Sequence, residues 1–161
     1  MRATKRRATV DVLTSDVEQI SHMREALVLE GADDSIHVER IPGVVPNPKQ
    51  WRGHYDAIVT VEKIEQLSPQ ERKEYIRAVD RFLTPNGRAG IQSLVATEAM
   101  TDAGKASIQA LRAYVWPALD YPLTAELHQL VDKNSNLRIV SETHVGTHYL
   151  CLLYTSDAAD E

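Results

Sequence analysis

The pattern of apolar and polar positions along the chain predicts short strands that alternate with amphipathic helices. The clearest strand lies in YDAIVTVEKIEQL, residues 55–67, where a β-branched run is followed directly by a polar, acidic cluster. A run of this kind indicates a strand that is buried on both faces. The polar residues after it would lie at its carboxyl end, which is the edge where open α/β sheets bind their ligands.

Two strands and a helix are predicted before this stretch. Residues 8–13 and 36–41 are β-prone, and a helical pattern lies between them. Ser15 is the predicted N-cap of that helix, with Glu18 three residues later to close a capping box. Gly31 is placed to end it. Residues 42–53 follow as a proline- and glycine-containing loop.

A second helix is predicted from Ser68-Pro69-Gln70-Glu71, which combines an N-cap serine, proline at the first helical position and glutamate at the third. Its predicted inward residues are Tyr75, Ile76, Val79, Phe82 and Leu83. Further elements are a strand at 88–95, helices at about 101–114 and from 124, and strands at 137–145 and 148–153 that form a hairpin. The order predicts a mainly parallel sheet with an antiparallel edge.

Composition limits the class of protein. The chain has 161 residues, of which 43% are hydrophobic and 25% charged, as expected of one globular domain. No apolar run is long enough to cross a bilayer and no secretory signal is visible, so we expect a cytoplasmic protein. The basic start, residues 2–7, lacks aromatic or glycine-rich neighbours and predicts a solvated terminus, not a nucleic-acid partner.

The last eleven residues, CLLYTSDAADE, resemble an in-frame translation of a transposase adapter used in sequencing libraries. We therefore predict a domain at 1–150 and a non-native tail at 151–161. The single cysteine, Cys151, lies in this tail and supports no conclusion about redox compartment or a thiol nucleophile. His144 and His148 lack the ligand spacing of a metal cluster, so no metal site is predicted.

Four segments in order carry a family resemblance: YDAIVTVEKIEQL, DRFLTPNGRAGIQSL, VWPALDYPLTAEL and LRIVSETHVGTHY. They resemble the cyclopropane-fatty-acyl-phospholipid synthases, which include the mycolic acid cyclopropane synthases and related S-adenosylmethionine-dependent C-methyltransferases. The match covers about residues 8–150. It implies an α/β, Rossmann-like class I methyltransferase sheet with a C-terminal antiparallel hairpin. The family's glycine-rich cofactor loop does not occur, so the sheet is expected to lack its first strand.

The resemblance also implies site residues. Glu65 falls on the family's active-site glutamate, which helps hold a bicarbonate ion, while Tyr149 falls on the tyrosine of the closing HY motif. Gln92 occupies the His or Gln position of the strand before the third motif, and Gln66 replaces the family's histidine. The implied S-adenosylmethionine-binding residues are Thr14, Ser15, Asp16, Gln19 and Val61.

The implied function is methyl transfer to unsaturated acyl chains of phospholipids, with cytoplasmic location and peripheral contact with the inner membrane face. Two alternatives stay open: a non-catalytic interaction module of the same fold, and a methyltransferase that acts on a soluble small molecule. Without the resemblance, Glu65 is a carboxylate favoured near a helix start, and Tyr149 is a strand aromatic. Lipid identity, product and oligomeric state are left open.

Overall fold

The computed structural model describes residues 8–31, 34–43, 45–47 and 55–146. Four strands and four α-helices occur in these ranges, with a 3₁₀ turn at Ile64–Gln66 before the second helix. In chain order they are β1 (Val10–Thr14), α1 (Val17–Leu29), β2 (Ile36–Arg40), β3 (Tyr55–Val61), α2 (Pro69–Phe82), β4 (Leu83–Gln92), α3 (Asp102–Tyr114) and α4 (Thr124–Asn134).

The described strands form two parallel pairs, β1 with β2 and β3 with β4. The predicted parallel pairing of a mixed α/β fold is therefore confirmed, although the described strands do not join into one continuous sheet. The pairs are linked by the Tyr55 hydroxyl, which donates a hydrogen bond of 2.7 Å to Asp11 Oδ2. Burial, followed by this hydrogen bond, raises the pKa of Tyr55 above its ordinary value.

The prediction that β3 is buried on both faces is wrong. Thr60 is buried and Ile58 packs on the core below α2, but Val59 on the opposite face is 77% exposed. Helices cover only one side of β3 within the described part of the chain, so alternate side chains face solvent. The chain continues from β3 into the turn that carries Glu65.

The two helix starts differ in how well local sequence predicted them. Ser68 forms the expected capping box, with its N–H donating to Glu71 Oε2 at 2.8 Å. The predicted Ser15 cap is wrong, because Asp16 is the N-cap of α1 and its Oδ1 accepts from the N–H groups of Glu18 and Gln19. The helix begins at Val17, so Asp16 is the residue directly before it, and its Oδ1 serves two of the N–H groups that have no partner within the helix.

The strand predicted at 88–95 begins and ends earlier, at Leu83–Gln92. Its register with β3 shifts after the Tyr55–Leu83 pair, so residues 84–87 bulge out before pairing resumes at Arg88. Gly87 fits this bulge because a Cβ there would lie 3.0 Å from two backbone oxygens. Gln92 is the last residue of the strand, and the residues after it lie at the carboxyl edge.

One core cluster lies between β3 and the helices α2 and α4. All five inward positions predicted for α2 and its end are buried. The cluster is continued by Leu127, Leu130 and Val131 on α4. Helix α3 has no buried residue, so its predicted apolar face does not join this core. A smaller cluster packs α1 on the first strand pair.

The predicted C-terminal hairpin is not formed in the part of the chain that the structure describes. Residues 137–145 contain no strand, and neither of the two described strand pairs includes them. Instead, Glu142 contacts His128 at 2.8 Å and His144 at 2.9 Å. The second predicted strand, Tyr149 and the tail 151–161 lie outside the described residues.

Candidate functional site

Glu65 lies on the 3₁₀ turn that directly follows β3. The strand ends at Val61, and Glu62 then takes a left-handed conformation with φ of 51°. The Gln66 amide donates to the Glu62 carbonyl at 2.7 Å and closes this turn. Because Ile64 and Leu67 on either side are fully buried, the turn carries the Glu65 side chain inward, where it is only 2% exposed.

The carboxylate of Glu65 is held by the residues that follow β4. Ser93 Oγ donates to Oε2 at 2.8 Å, and the Leu94 N–H donates to Oε1 at 3.2 Å. The ion pairs found among the described residues do not include Glu65. Each oxygen of this buried carboxylate therefore has one hydrogen-bond donor, as a buried polar group requires, and both donors are uncharged.

A buried arginine lies behind the same turn. Arg72 on α2 is 7% exposed, and its Nε donates to the Ile64 carbonyl at 2.9 Å. Its Nη1 pairs with Asp120 Oδ2 at 3.0 Å, and its Nη2 donates to the Asp120 carbonyl. The Asp120 N–H in turn donates to the Glu65 carbonyl at 2.8 Å. The guanidinium therefore joins the Glu65 turn to the segment that follows α3.

Gln92 and Val61 end adjacent strands in register with one another. The Gln92 carbonyl accepts from the Glu62 N–H at 2.9 Å, so the ends of β3 and β4 are tied together beside Glu65. Lys63 in the same turn is half-buried. Burial lowers the pKa of its amine, while the Glu71 carboxylate acts in the opposite direction.

The polar residues after β1 form a separate hydrogen-bonded group. Thr14 Oγ1 donates to Gln19 Oε1 at 2.8 Å and accepts from the Asp16 N–H at 3.2 Å. Asp16 and Ser15 are exposed at the start of α1. Hydroxyl, amide and carboxylate groups at the carboxyl end of a parallel strand suit the ribose and amino-acid groups of a nucleoside cofactor.

The structure thus places Glu65, Gln92 and Val61 at one edge, and Thr14, Ser15, Asp16 and Gln19 at the end of β1. Sequence reasoning missed Ser93, Arg72 and Asp120. The predicted strand 88–95 has Ser93 in its interior, whereas in the structure Ser93 directly follows the last strand residue, Gln92. An arginine four residues after an N-cap serine has no special sequence signal, and Asp120 lies in an irregular segment.

Comparison with protein families decides the relationship. The model of the family described as mycolic acid cyclopropane synthetase matches residues 1–157. The chain belongs to this family. The prediction of a methyltransferase family of the cyclopropane synthase type is confirmed by this match.

Among curated proteins, the tuberculostearic acid methyltransferase UfaA1 of Mycobacterium tuberculosis (strain ATCC 25618 / H37Rv) is 24% identical to this chain over 149 residues. The alignment covers 92% of this chain and 34% of that protein, so the chain spans about a third of the relative's length.

Solved structures confirm the fold. The cyclopropane synthase MmaA2 of Mycobacterium tuberculosis superposes with a TM-score of 0.71 at 14% identity, covering 88% of this chain and 50% of that one. The mitomycin 7-O-methyltransferase MmcR superposes with a TM-score of 0.62 at 14% identity, covering 83% and 44%. The predicted class I methyltransferase fold is therefore shown, and the matching family implies S-adenosylmethionine as the cofactor.

Proposed function

We propose that this family member transfers a methyl group from S-adenosylmethionine to an unsaturated acyl chain of a phospholipid, giving a cyclopropane or a methyl branch. The observation that carries the proposal is the buried Glu65 carboxylate, held by Ser93 and Leu94 at the carboxyl edge of β3. This position is where α/β folds bring ligands and reacting groups together.

The residues present fit the polar parts of the cofactor. Thr14, Ser15, Asp16 and Gln19 would hold its hydroxyl and amino-acid groups, and Val61 would contact it through the backbone. The cofactor supplies an electrophilic methyl group on a sulfonium. A mutually hydrogen-bonded cluster is already ordered before binding, which lowers the entropy cost of holding a ligand.

Glu65 would act on the positive charge that develops on the acceptor chain when its double bond takes up the methyl group. A fixed carboxylate in a site with little water stabilises such charge much more strongly than one in bulk solvent. The carbocation then loses a proton to a base, either from the new methyl group, which closes a cyclopropane, or from a neighbouring chain carbon, which leaves a methyl-branched alkene. Bicarbonate, which the family resemblance implies, is that base in the proposal, with Glu65 and Gln92 beside it. The resemblance gives the same role to Tyr149, which lies outside the described residues.

A lipid acceptor is supported by the similarity to two mycobacterial proteins, a tuberculostearic acid methyltransferase and a cyclopropane synthase. It is also supported by exposed apolar side chains around the end of α3, namely Leu111, Tyr114, Val115 and Trp116. None of the described helices is long and apolar enough to cross a membrane. Peripheral contact with the inner membrane face is part of the proposal.

We also retain the hypothesis that residues 1–150 are part of a larger methyltransferase domain. Among the described strands β1 pairs with β2 alone and β3 with β4 alone, which leaves an edge of each strand for further pairing. The share of UfaA1 and MmaA2 that the chain covers is in agreement with this hypothesis.

The test compares Glu65→Gln with Glu74→Gln, an exposed glutamate on α2. Labelled methyl transfer into vesicles of unsaturated phospholipid is measured together with cofactor binding by calorimetry. We expect Glu65→Gln to lower turnover by about 10²–10³-fold with little change in cofactor affinity, and Glu74→Gln to change neither. Unchanged turnover in Glu65→Gln would refute the assigned role. Methyl transfer to soluble amines or hydroxyls alone would favour a small-molecule methyltransferase. A wild-type protein that binds no cofactor would favour an interaction module.

A further inference from the structure

The Glu65 turn is fixed from behind by one guanidinium group, that of Arg72. All three of its nitrogens are engaged: Nε with the Ile64 carbonyl, Nη1 with the Asp120 carboxylate and Nη2 with the Asp120 carbonyl. A lysine could not make this set, because an ammonium is a point donor without the planar fork of arginine. Arginine is rarely this deeply buried without partners that specify its position.

Both carboxylate oxygens of Asp120 are bound by arginine side chains. Its Oδ2 pairs with Arg72, and its Oδ1 accepts from Arg112 Nη2 at 2.6 Å. Arg112 also donates through Nε to the Leu119 carbonyl. Leu119 is buried, which anchors this segment in the protein interior. The backbone of the segment after α3 is therefore held in a fixed place relative to α2.

The same segment reaches the turn that carries Glu65. The Asp120 N–H donates to the Glu65 carbonyl, while the Glu65 carboxylate is held from the other side by Leu94 and Ser93. The backbone on either side of the Glu65 Cα is thus bound at the Ile64 and Glu65 carbonyls. A small rotation of either peptide group would move the Glu65 carboxylate away from its two donors.

We propose that Arg72 and Asp120 are a positioning pair that aims the Glu65 carboxylate into the methyl-transfer site and links its orientation to the segment after α3. This role rests on the proposed function, because it concerns the aim of Glu65 toward an acceptor. The pair itself does not contact reactants. Its removal should therefore loosen Glu65 selectively before it loosens the fold.

Hydrogen exchange measured by NMR tests the positional part without any turnover. The Leu94 and Asp120 amides report the two bonds to Glu65, and the Ile41 amide, which donates to the Thr14 carbonyl, reports the other strand pair. In Arg72→Met we expect the first two amides to exchange at least ~10-fold faster with Ile41 unchanged. Asp120→Asn, a milder change, should give the same pattern if Arg72→Met does not fold.

The matched control is Arg77→Met, on the exposed face of the same helix, where Nη2 donates to Asn134 Oδ1. It should leave both reporter amides at their wild-type rates. Equal acceleration of all amides in Arg72→Met and Asp120→Asn, or no acceleration, would overturn the positioning role, because a general loss of stability acts on every amide alike.

A turnover cycle tests the functional part. If Arg72 acts through Glu65, Arg72→Met should lower kcat by at least ~10-fold with cofactor affinity unchanged, and should add little in the Glu65→Gln background. Fully additive losses of kcat in the double variant would overturn the role of Arg72 through Glu65. Should the wild-type protein bind no cofactor and transfer no methyl group, the proposed function fails, while the exchange pattern still decides whether Arg72 and Asp120 position the Glu65 turn.

Discussion

Replacing Ser93 by alanine removes the shorter of the two hydrogen bonds to the Glu65 carboxylate. The bond is 2.8 Å long and its acceptor side chain is 2% exposed, so a lost donor leaves a buried carboxylate oxygen poorly served. Hydrogen bonds to charged groups contribute about 1.5–3 kcal/mol. Ser93 itself is only half-buried, so water can replace part of the bond, and we expect a loss of about 1.5 kcal/mol.

The assay for Ser93→Ala is urea denaturation, with the slope checked against that of the wild type. A loss of this size would lower the melting temperature by about 3–6 °C for a chain of this length. Ser107→Ala is the matched control, because the Ser107 hydroxyl donates to the Ala103 carbonyl within an exposed helix. It should change stability by no more than about 0.5 kcal/mol.

A double-mutant cycle with Glu65→Gln isolates the interaction energy between Ser93 and Glu65. If Ser93 stabilises the protein through Glu65, the two losses should be non-additive by about 1 kcal/mol. The assigned role of Ser93 is refuted if Ser93→Ala is as stable as Ser107→Ala, or if the losses of stability in the cycle are additive. Either result would mean that Ser93 does not serve the carboxylate.

Three further changes test the surroundings of the site. The hydrogen bonds from Ser68 lower the pKa of Glu71. The contribution of Glu71 to the free energy of unfolding should therefore be present above the ordinary glutamate pKa and be lost as pH falls through the lowered pKa. Glu71→Gln should flatten this loss in denaturation curves measured from pH 2 to 7. Glu62→Gly should raise the free energy of unfolding by about 1 kcal/mol by relieving its left-handed backbone, and a loss in urea denaturation would contradict this. Ile76→Ala should lower it by about 2–5 kcal/mol because the side chain is fully buried, and a loss below 1 kcal/mol in the same assay would contradict the core assignment.

Local sequence determined the elements that have a local cause. The Ser68 capping box, the inward face of α2 and the end of α1 just before the left-handed Gly31 follow from spacing and backbone preference, and each is present in the structure. The position of Glu65 after a β-branched strand likewise followed from the sequence. The family resemblance extended this to the fold class and to the choice of Glu65 as a site residue.

Tertiary structure decided what depends on distant partners. Whether both faces of β3 are covered depends on which helices pack on it, and residues 137–145 form a strand only where another edge is available. The environment of Glu65 was decided in the same way, because Ser93, Arg72 and Asp120 come from three separate segments that meet only in the folded chain. Sequence spacing specifies short-range hydrogen bonds and periodicity, whereas burial and the partners of a buried charge are set by packing between segments far apart in the chain.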